Sequence, residues 1–334
     1  MSAAATRRPT RRPTKSRRGT PIGKPLRPKT TYEIKSSTLN SKNPRLMPNS
    51  KKEKTEKIIF FLVIVALACI LGYVVITKTS SCSTDKFKQQ EEKSEIEAKI
   101  ETGTPTALVQ QLKPVLEQNQ KIEWIAGHTS KYPDPKIIEL ALRESAAVDF
   151  VYSWPSAEKV AKTYDKGVIK GSAPKFFCWD ERWGYVDYGG LPLAVTGSGP
   201  TVMSMAYMGT IGKTDKTPAN MAKIATDAGC ISETGETSPE YFTEHAQEVG
   251  LKCKDTSPSK EAASSALSQR HLLIAHMNEG TGTTGPHWIL LADHQQNGLI
   301  TVYDPTSTAI STRPWDAEAI LKKCDLMYEV TQAS

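Results

Sequence analysis

Three short stretches of the chain carry residue types suited to hydrolytic chemistry. Thr196-Gly197-Ser198-Gly199-Pro200-Thr201 offers a hydroxyl between two glycines, Gly285-Pro286-His287-Trp288 an imidazole, and Val302-Tyr303-Asp304-Pro305 a carboxylate. Together they have the composition of a triad, with Ser198 as nucleophile, His287 as general base and Asp304 orienting the imidazole. A serine hydroxyl is not ionised near neutral pH, so His287 has to take its proton during attack. Each residue also has a plain structural reading. Ser198 before Gly-Pro is a good helix N-cap, His287 heads an apolar strand, and Asp304 before a proline is a natural turn-former. His245, on an expected helix, and His276, on an expected strand, read as surface or core residues. No Cys-x-x-Cys occurs and no two histidines have metal-ligand spacing, so neither a metal nor an organic cofactor is implied.

The elements around these residues must bring them together. Residues 105–160 read as helical, with Leu108, Leu112, Val115 and Leu116, then Ile137, Ile138, Leu140, Ala141 and Leu142, punctuated by Tyr132-Pro133-Asp134-Pro135. After Gly171 the pattern changes to a hairpin-like stretch over 184–190, the Gly-Ser-Gly-Pro turn and a buried helix from Thr201 to Met208. Further helices are expected over 218–228 and 240–249, the second ending at Gly250. Strands follow at 271–277, 287–292 and 299–303, the last two flanking a turn that contains Asn297-Gly298. Helices first and sheet afterwards predicts an α+β fold, not a doubly wound parallel sheet. His287 and Asp304 are 17 residues apart, so a four-residue loop over 294–297 sets them directly opposite on antiparallel neighbours. A two-residue Asn297-Gly298 turn instead opposes Asp304 to Leu291. A triad predicts the looser loop.

These motifs, with Phe177-Cys178-Trp179-Asp180-Glu181-Arg182-Trp183-Gly184 at the entry and Tyr303-Asp304-Pro305-Thr306-Ser307 at the strand end, resemble a known family. It is that of the bacterial bacteriocin leader (double-glycine) peptidases, cysteine peptidases of papain-like fold. The likeness covers residues 172–334. The preceding stretch 131–155, with Val148-Asp149-Phe150-Val151, is similar to what precedes such domains in Gram-positive bacteria. The resemblance implies a helical half plus an antiparallel sheet, and puts Ser198 where the family has its cysteine, with His287 as base and Asp304 as orienting acid. Cys178 stands where the family has a glutamine that donates to the oxyanion. Both departures fall on chemistry. A cysteine is ionised by a helix N-terminus and a neighbouring imidazole, whereas a serine is not. A thiol is also a weak donor, and losing one oxyanion donor costs about 10²–10³ in rate. Cys178 also reads as an inert buried thiol, Trp179 and Trp183 as core or cleft wall, and Arg182 as a pin for the entry loop.

Residues 1–57 hold 17 of the 43 basic and 3 of the 36 acidic residues, a charge of +14 that leaves −7 on the rest. A basic tail on an acidic body is a signal of topology. Residues 58–76 form an uninterrupted apolar run whose roughly 29 Å helical length matches a bilayer. Lys51, Lys52, Lys54 and Lys57 precede it, which predicts a signal anchor with a cytoplasmic N-terminus and an extracellular C-terminal region. A cleaved or lipidated leader around Ala66 to Cys69, or a buried core helix, is the competing expectation. The tail, with Arg7-Arg8-Pro9-Thr10 echoed by Arg11-Arg12-Pro13-Thr14, reads as disordered and suited to anionic lipid headgroups. No aromatic residue interleaves its arginines, which disfavours nucleic acid. Five cysteines lie beyond the run, an odd number without framework spacing, so disulfide dependence is not expected.

The expected organisation is thus a tail over 1–57, an anchor over 58–76, a stalk over 77–104, a helical spacer over 105–170 and a peptidase-like domain over 171–334. Three functions fit that layout. The first is a pseudoenzyme at the bacterial cell envelope that binds a peptide or envelope ligand in its cleft. The second is an active hydrolase using Ser198–His287–Asp304 or Cys178. The third is a structural envelope protein.

Overall fold

A computed structural model describes residues 95–278, 285–295 and 297–334 of the chain. The basic tail, the apolar run over 58–76 and the stalk up to residue 94 lie outside the described residues. No helix among the described residues is long and apolar enough to cross a membrane.

The helical region is a set of short segments: α1 (Thr106–Leu112), α2 (Gln120–Ala126), α3 (Pro135–Arg143) and α4 (Val148–Ser153). α3 begins where the sequence demands it. The Asp134 side chain accepts from the Lys136 N–H at 2.8 Å, and Pro135 fills the first helical position, where no amide is needed. Ile137, Ile138, Leu140 and Ala141 are buried, each large side chain contributing about 1.5–3 kcal/mol. These helices are more than a spacer. Trp179, Tyr185 and Ala194 complete the same apolar cluster as Leu108, Ile125, Ile138 and Phe150.

The hairpin expected over 184–190 is β1 (Asp187–Tyr188) and β2 (Leu191–Pro192), turned by Gly189 and Gly190 at φ 70° and 82°. α5 (Leu193–Thr196) leads directly into α6 (Ser198–Ile211). α6 is buried all round from Ser198 to Gly209, as its nearly continuous apolar sequence requires. Its start is close-packed, since a Cβ on Gly199 would lie 2.2 Å from the Thr237 hydroxyl oxygen. α7 (Pro218–Asp227) starts at a reciprocal Thr217–Asn220 capping box.

The single helix expected over 240–249 is divided into α8 (Glu240–Thr243) and a 3₁₀ turn, Ala246–Val249, ended by Gly250 at φ 76°. The tighter turn eclipses residues three apart, so Ala246 and Val249 bury on one side.

β3 (Leu251–Asp255), α9 (Lys260–Ser268), β4 (Leu272–Met277), β5 (His287–His294) and β6 (Leu299–Tyr303) come next. α10 (Thr308–Ser311), β7 (Trp315–Asp316), α11 (Ala317–Leu321) and β8 (Cys324–Gln332) finish the chain. The strands form one sheet in the order β3-β8-β4-β5-β6-β7, antiparallel throughout. One face, with Ile274, Trp288, Leu290 and Tyr328, packs on Met203 and Ala206 of α6. The other, with Leu273, Ala275, Ile289 and Leu291, packs on α9 and α11. The fold is α+β, with a helical part and an antiparallel sheet.

Candidate active-site cleft

Ser198, His287 and Asp304 come together at one end of the sheet. Ser198 and His287 line a cleft of about 190 Å³ with Lys136, Arg143, Glu236 and Thr306. A larger hollow of about 380 Å³ beside Trp154 and Lys159 contains none of the three.

Ser198 is the first residue of α6, and the N-cap is Gly197. Its hydroxyl does not cap the helix. Instead its Oγ accepts the Trp288 backbone N–H at 3.2 Å, tying α6 to β5.

His287 opens β5, where its backbone pairs with Met277 of β4, and its side chain is buried. Nε2 lies 3.0 Å from Asp304 Oδ2, and Nδ1 lies 2.8 Å from the Gly285 carbonyl oxygen. Both partners only accept. The two hydrogen bonds therefore coexist only when both ring nitrogens carry a proton, which is the imidazolium. Burial by itself works against that charge. The Asp304 carboxylate, its hydrogen bond and the Gly285 carbonyl outweigh burial, so the His287 pKa is raised above 6.5.

Asp304 follows the last residue of β6 and is fully buried. Its Oδ1 accepts the Thr306 N–H at 2.8 Å and the Thr306 hydroxyl at 2.7 Å. Its own N–H donates to Ser311 Oγ at 2.8 Å, and that hydroxyl donates back to the Asp304 carbonyl at 2.9 Å. Burial pushes the Asp304 pKa up. The His287 charge and hydrogen bond, with the two Thr306 donors, pull it down further, and the net shift is below the ordinary 3.8. The pair is ionised on both sides.

His287 and Asp304 do not meet by direct opposition, as the four-residue loop predicted. The turn is closed by the Gly298 N–H on the Gln295 carbonyl at 3.0 Å, and the first pair after it is His294 with Ile300. The register then shifts at a β-bulge between Leu291 and Asp293, after which Leu290 pairs with Tyr303. Continued, that register sets Asp304 level with Ile289, and the imidazole reaches it diagonally. The tight turn that opposes Asp304 to Leu291 is not formed either.

Cys178 does not line the cleft. Its side chain is fully buried, with Sγ 3.5 Å from Thr201 Oγ1, and its N–H donates to the Pro305 carbonyl at 2.9 Å. Burial raises its thiol pKa to about 12. A neutral, sealed thiol is neither a nucleophile nor an oxyanion donor facing the cleft.

Lys136 and Arg143 of α3 reach the cleft from the helical region, and neither they nor the neighbouring Glu144 carry an expectation in the sequence. Arg143, in the last turn of α3, lines it, and its Nε is sealed from water with no hydrogen-bond partner among the described residues. Glu144 is buried, and its carboxylate accepts the Thr308 N–H and hydroxyl, each at 2.8 Å. A basic residue in the last turn of a helix is ordinarily read as complementing the dipole, so Arg143 gave no signal. Asp304-Pro305-Thr306 is a legible side-chain turn, and Thr306 was there to be found.

No protein-family profile matches the chain, and no curated protein matches it. Among solved structures it is similar to the peptidase domain of Streptococcus ComA, a bi-functional ABC transporter involved in a quorum-sensing pathway. That similarity has 14% identity and a TM-score of 0.32, over 41% of this chain and 90% of that one.

Proposed function

We propose that this chain is a peptidase-like protein of papain-like fold whose cleft binds peptide without cleaving it. One observation carries the reading: both nitrogens of His287 face acceptors, Gly285 O and Asp304 Oδ2. An imidazolium held this way has no lone pair with which to take the Ser198 proton, and general-base attack stops there. The Ser198 hydroxyl, accepting from Trp288 N–H, braces the cleft floor instead. Cys178 is no substitute, because its sulfur is sealed. The helix-borne Ser198, the strand-borne His287 and the antiparallel sheet behind them support the papain-like reading that the motif resemblance implies.

The test is a mass-spectrometric digest of a synthetic peptide library by the full-length chain, with His287→Ala as control. The expected result is no product beyond the control, together with peptides retained by the native protein. Products that vanish in the His287→Ala and Ser198→Ala variants would overturn the binding reading in favour of a serine hydrolase.

For location, the apolar run over 58–76 and its flanking lysines support a single-pass anchor with residues 1–57 on the cytoplasmic side and the cleft outside. The expected result is membrane retention through alkaline extraction and cleavage of residues 95–334 by protease added to intact cells. Release into the soluble fraction would count against an anchor.

A further inference from the structure

The geometry points to the Arg143 guanidinium, with Ser198 and His287 across the cleft, as a receptor for the free carboxylate at the end of a peptide chain. The inference rests on the peptide-binding reading above and names what part of the peptide is recognised.

Arg143 stands without a hydrogen-bond partner among the described residues. Arg143 comes off the end of α3 into the cleft, and its buried Nε has no acceptor among the described residues. Glu139, Glu144 and Asp304 lie near enough to favour its charge, yet none hydrogen-bonds it, and two of them are engaged elsewhere. Glu144 holds Thr308 and the Ala146 N–H, and Asp304 holds His287 and Thr306. Nε is too enclosed for a ligand to touch, so the guanidinium meets the cleft through its outer nitrogens, and Arg143 forms no hydrogen bond or ion pair among the described residues.

Charge and shape both favour a carboxylate here. Lys136, Arg143 and the imidazolium of His287 face the cleft, and Ser198 presents the positive end of the 14-residue α6. A guanidinium is a planar fork that matches the two oxygens of a carboxylate with parallel hydrogen bonds. Glu236 stands on the same lining, which disfavours a dianion such as phosphate more than a singly charged carboxylate.

The experiment uses the full-length protein and the peptides it retains from the library, each synthesised with a free and an amidated C-terminus. Titration calorimetry on the pairs is expected to show the free acid binding about tenfold tighter or more, the effect of losing a charge-assisted bidentate contact. Arg143→Gln is expected to erase that preference. Arg143→Lys keeps the charge but not the fork, and is expected to fold and to lose most of it. Should Arg143→Gln fail to fold, Arg143→Lys decides. Equal binding of acid and amide by the native protein would overturn this inference and leave peptide binding standing. A lysine variant with full preference, or inorganic phosphate displacing the peptide better than acetate, would also overturn it. No retained peptide at all would overturn the peptide-binding reading, and this inference with it.

Discussion

The two walls of the cleft are finished to different degrees. On the sheet wall, both nitrogens of His287 and both carboxylate oxygens of Asp304 have partners, and Ser311 clasps the Asp304 backbone at N–H and carbonyl. On the helical wall, Arg143 arrives with a sealed Nε that has no acceptor among the described residues. While both groups are ionised, the protons of the first wall are held in hydrogen bonds within the protein. The second carries a cation with carboxylates nearby but no direct hydrogen-bond partner among the described residues. On the proposed binding reading, the sheet wall serves as a brace and the guanidinium as the group that meets a ligand.

The largest effect is expected from breaking the locked wall. Asp304→Ala leaves a buried imidazole facing an emptied partner, and should cost about 3–5 kcal/mol, measured by urea unfolding at pH 6. The pH dependence carries a sign. The His287 pKa is raised in the fold, so its contribution is complete below 6.5 and fades as pH rises through the folded value. The Asp304 pKa is lowered, so its contribution is complete above 3.8 and fades as pH falls through the folded value. Native stability should therefore be greatest between those two ordinary values and decline on either side. His287→Gln should flatten the alkaline limb. A native protein equally stable at pH 6 and pH 9 would contradict the ionised pair.

A smaller effect is expected where the walls are joined. Glu144, next to Arg143, reaches from the helical region to both donors of Thr308. Glu144→Ala should cost about 1.5–3 kcal/mol, the range for hydrogen bonds to a charged acceptor. It should also weaken any ligand held by Arg143 while leaving the His287 titration, followed by NMR, unmoved. A shift of that titration by the Glu144 variant would mean the walls are one unit, and the contrast drawn between them would fail.

The sequence made one wall legible and hid the other. The strand Leu299–Tyr303, the head of β5 at His287, the Thr217-capped helix and the buried start of α6 all follow from local patterns of apolar, capping and turn residues. His287 and Asp304 were visible for the same reason, since each sits at a strand end beside a glycine or proline. Arg143 was hidden because its burial depends on packing between α3 and residues more than fifty positions away, which no local period reports. The fate of Cys178 was hidden likewise. Beside Trp179 it reads equally as core or cleft, and only the tertiary contact with Thr201 decides. Ser198 gave the most misleading local signal, a capping residue whose hydroxyl is taken by a strand 90 residues away.

The bulge at Ala292 has a consequence for how the chain tolerates changes in length. Parity is the issue: the turn pairs His294 with Ile300, and a regular ladder from there would bring Asp304 level with Leu290. The imidazole of His287 would then project from the opposite face to the carboxylate, because side chains alternate. The hairpin contains one residue too many for its own turn, and Ala292 is the residue that absorbs the surplus. Shortening the chain by one at Ala292 would straighten the strand and still leave His287 and Asp304 on a common side. Shortening it by one within Leu299–Tyr303 would part them. The site thus depends on which strand of the hairpin changes length: β5 can lose its bulged residue, and β6 cannot lose one.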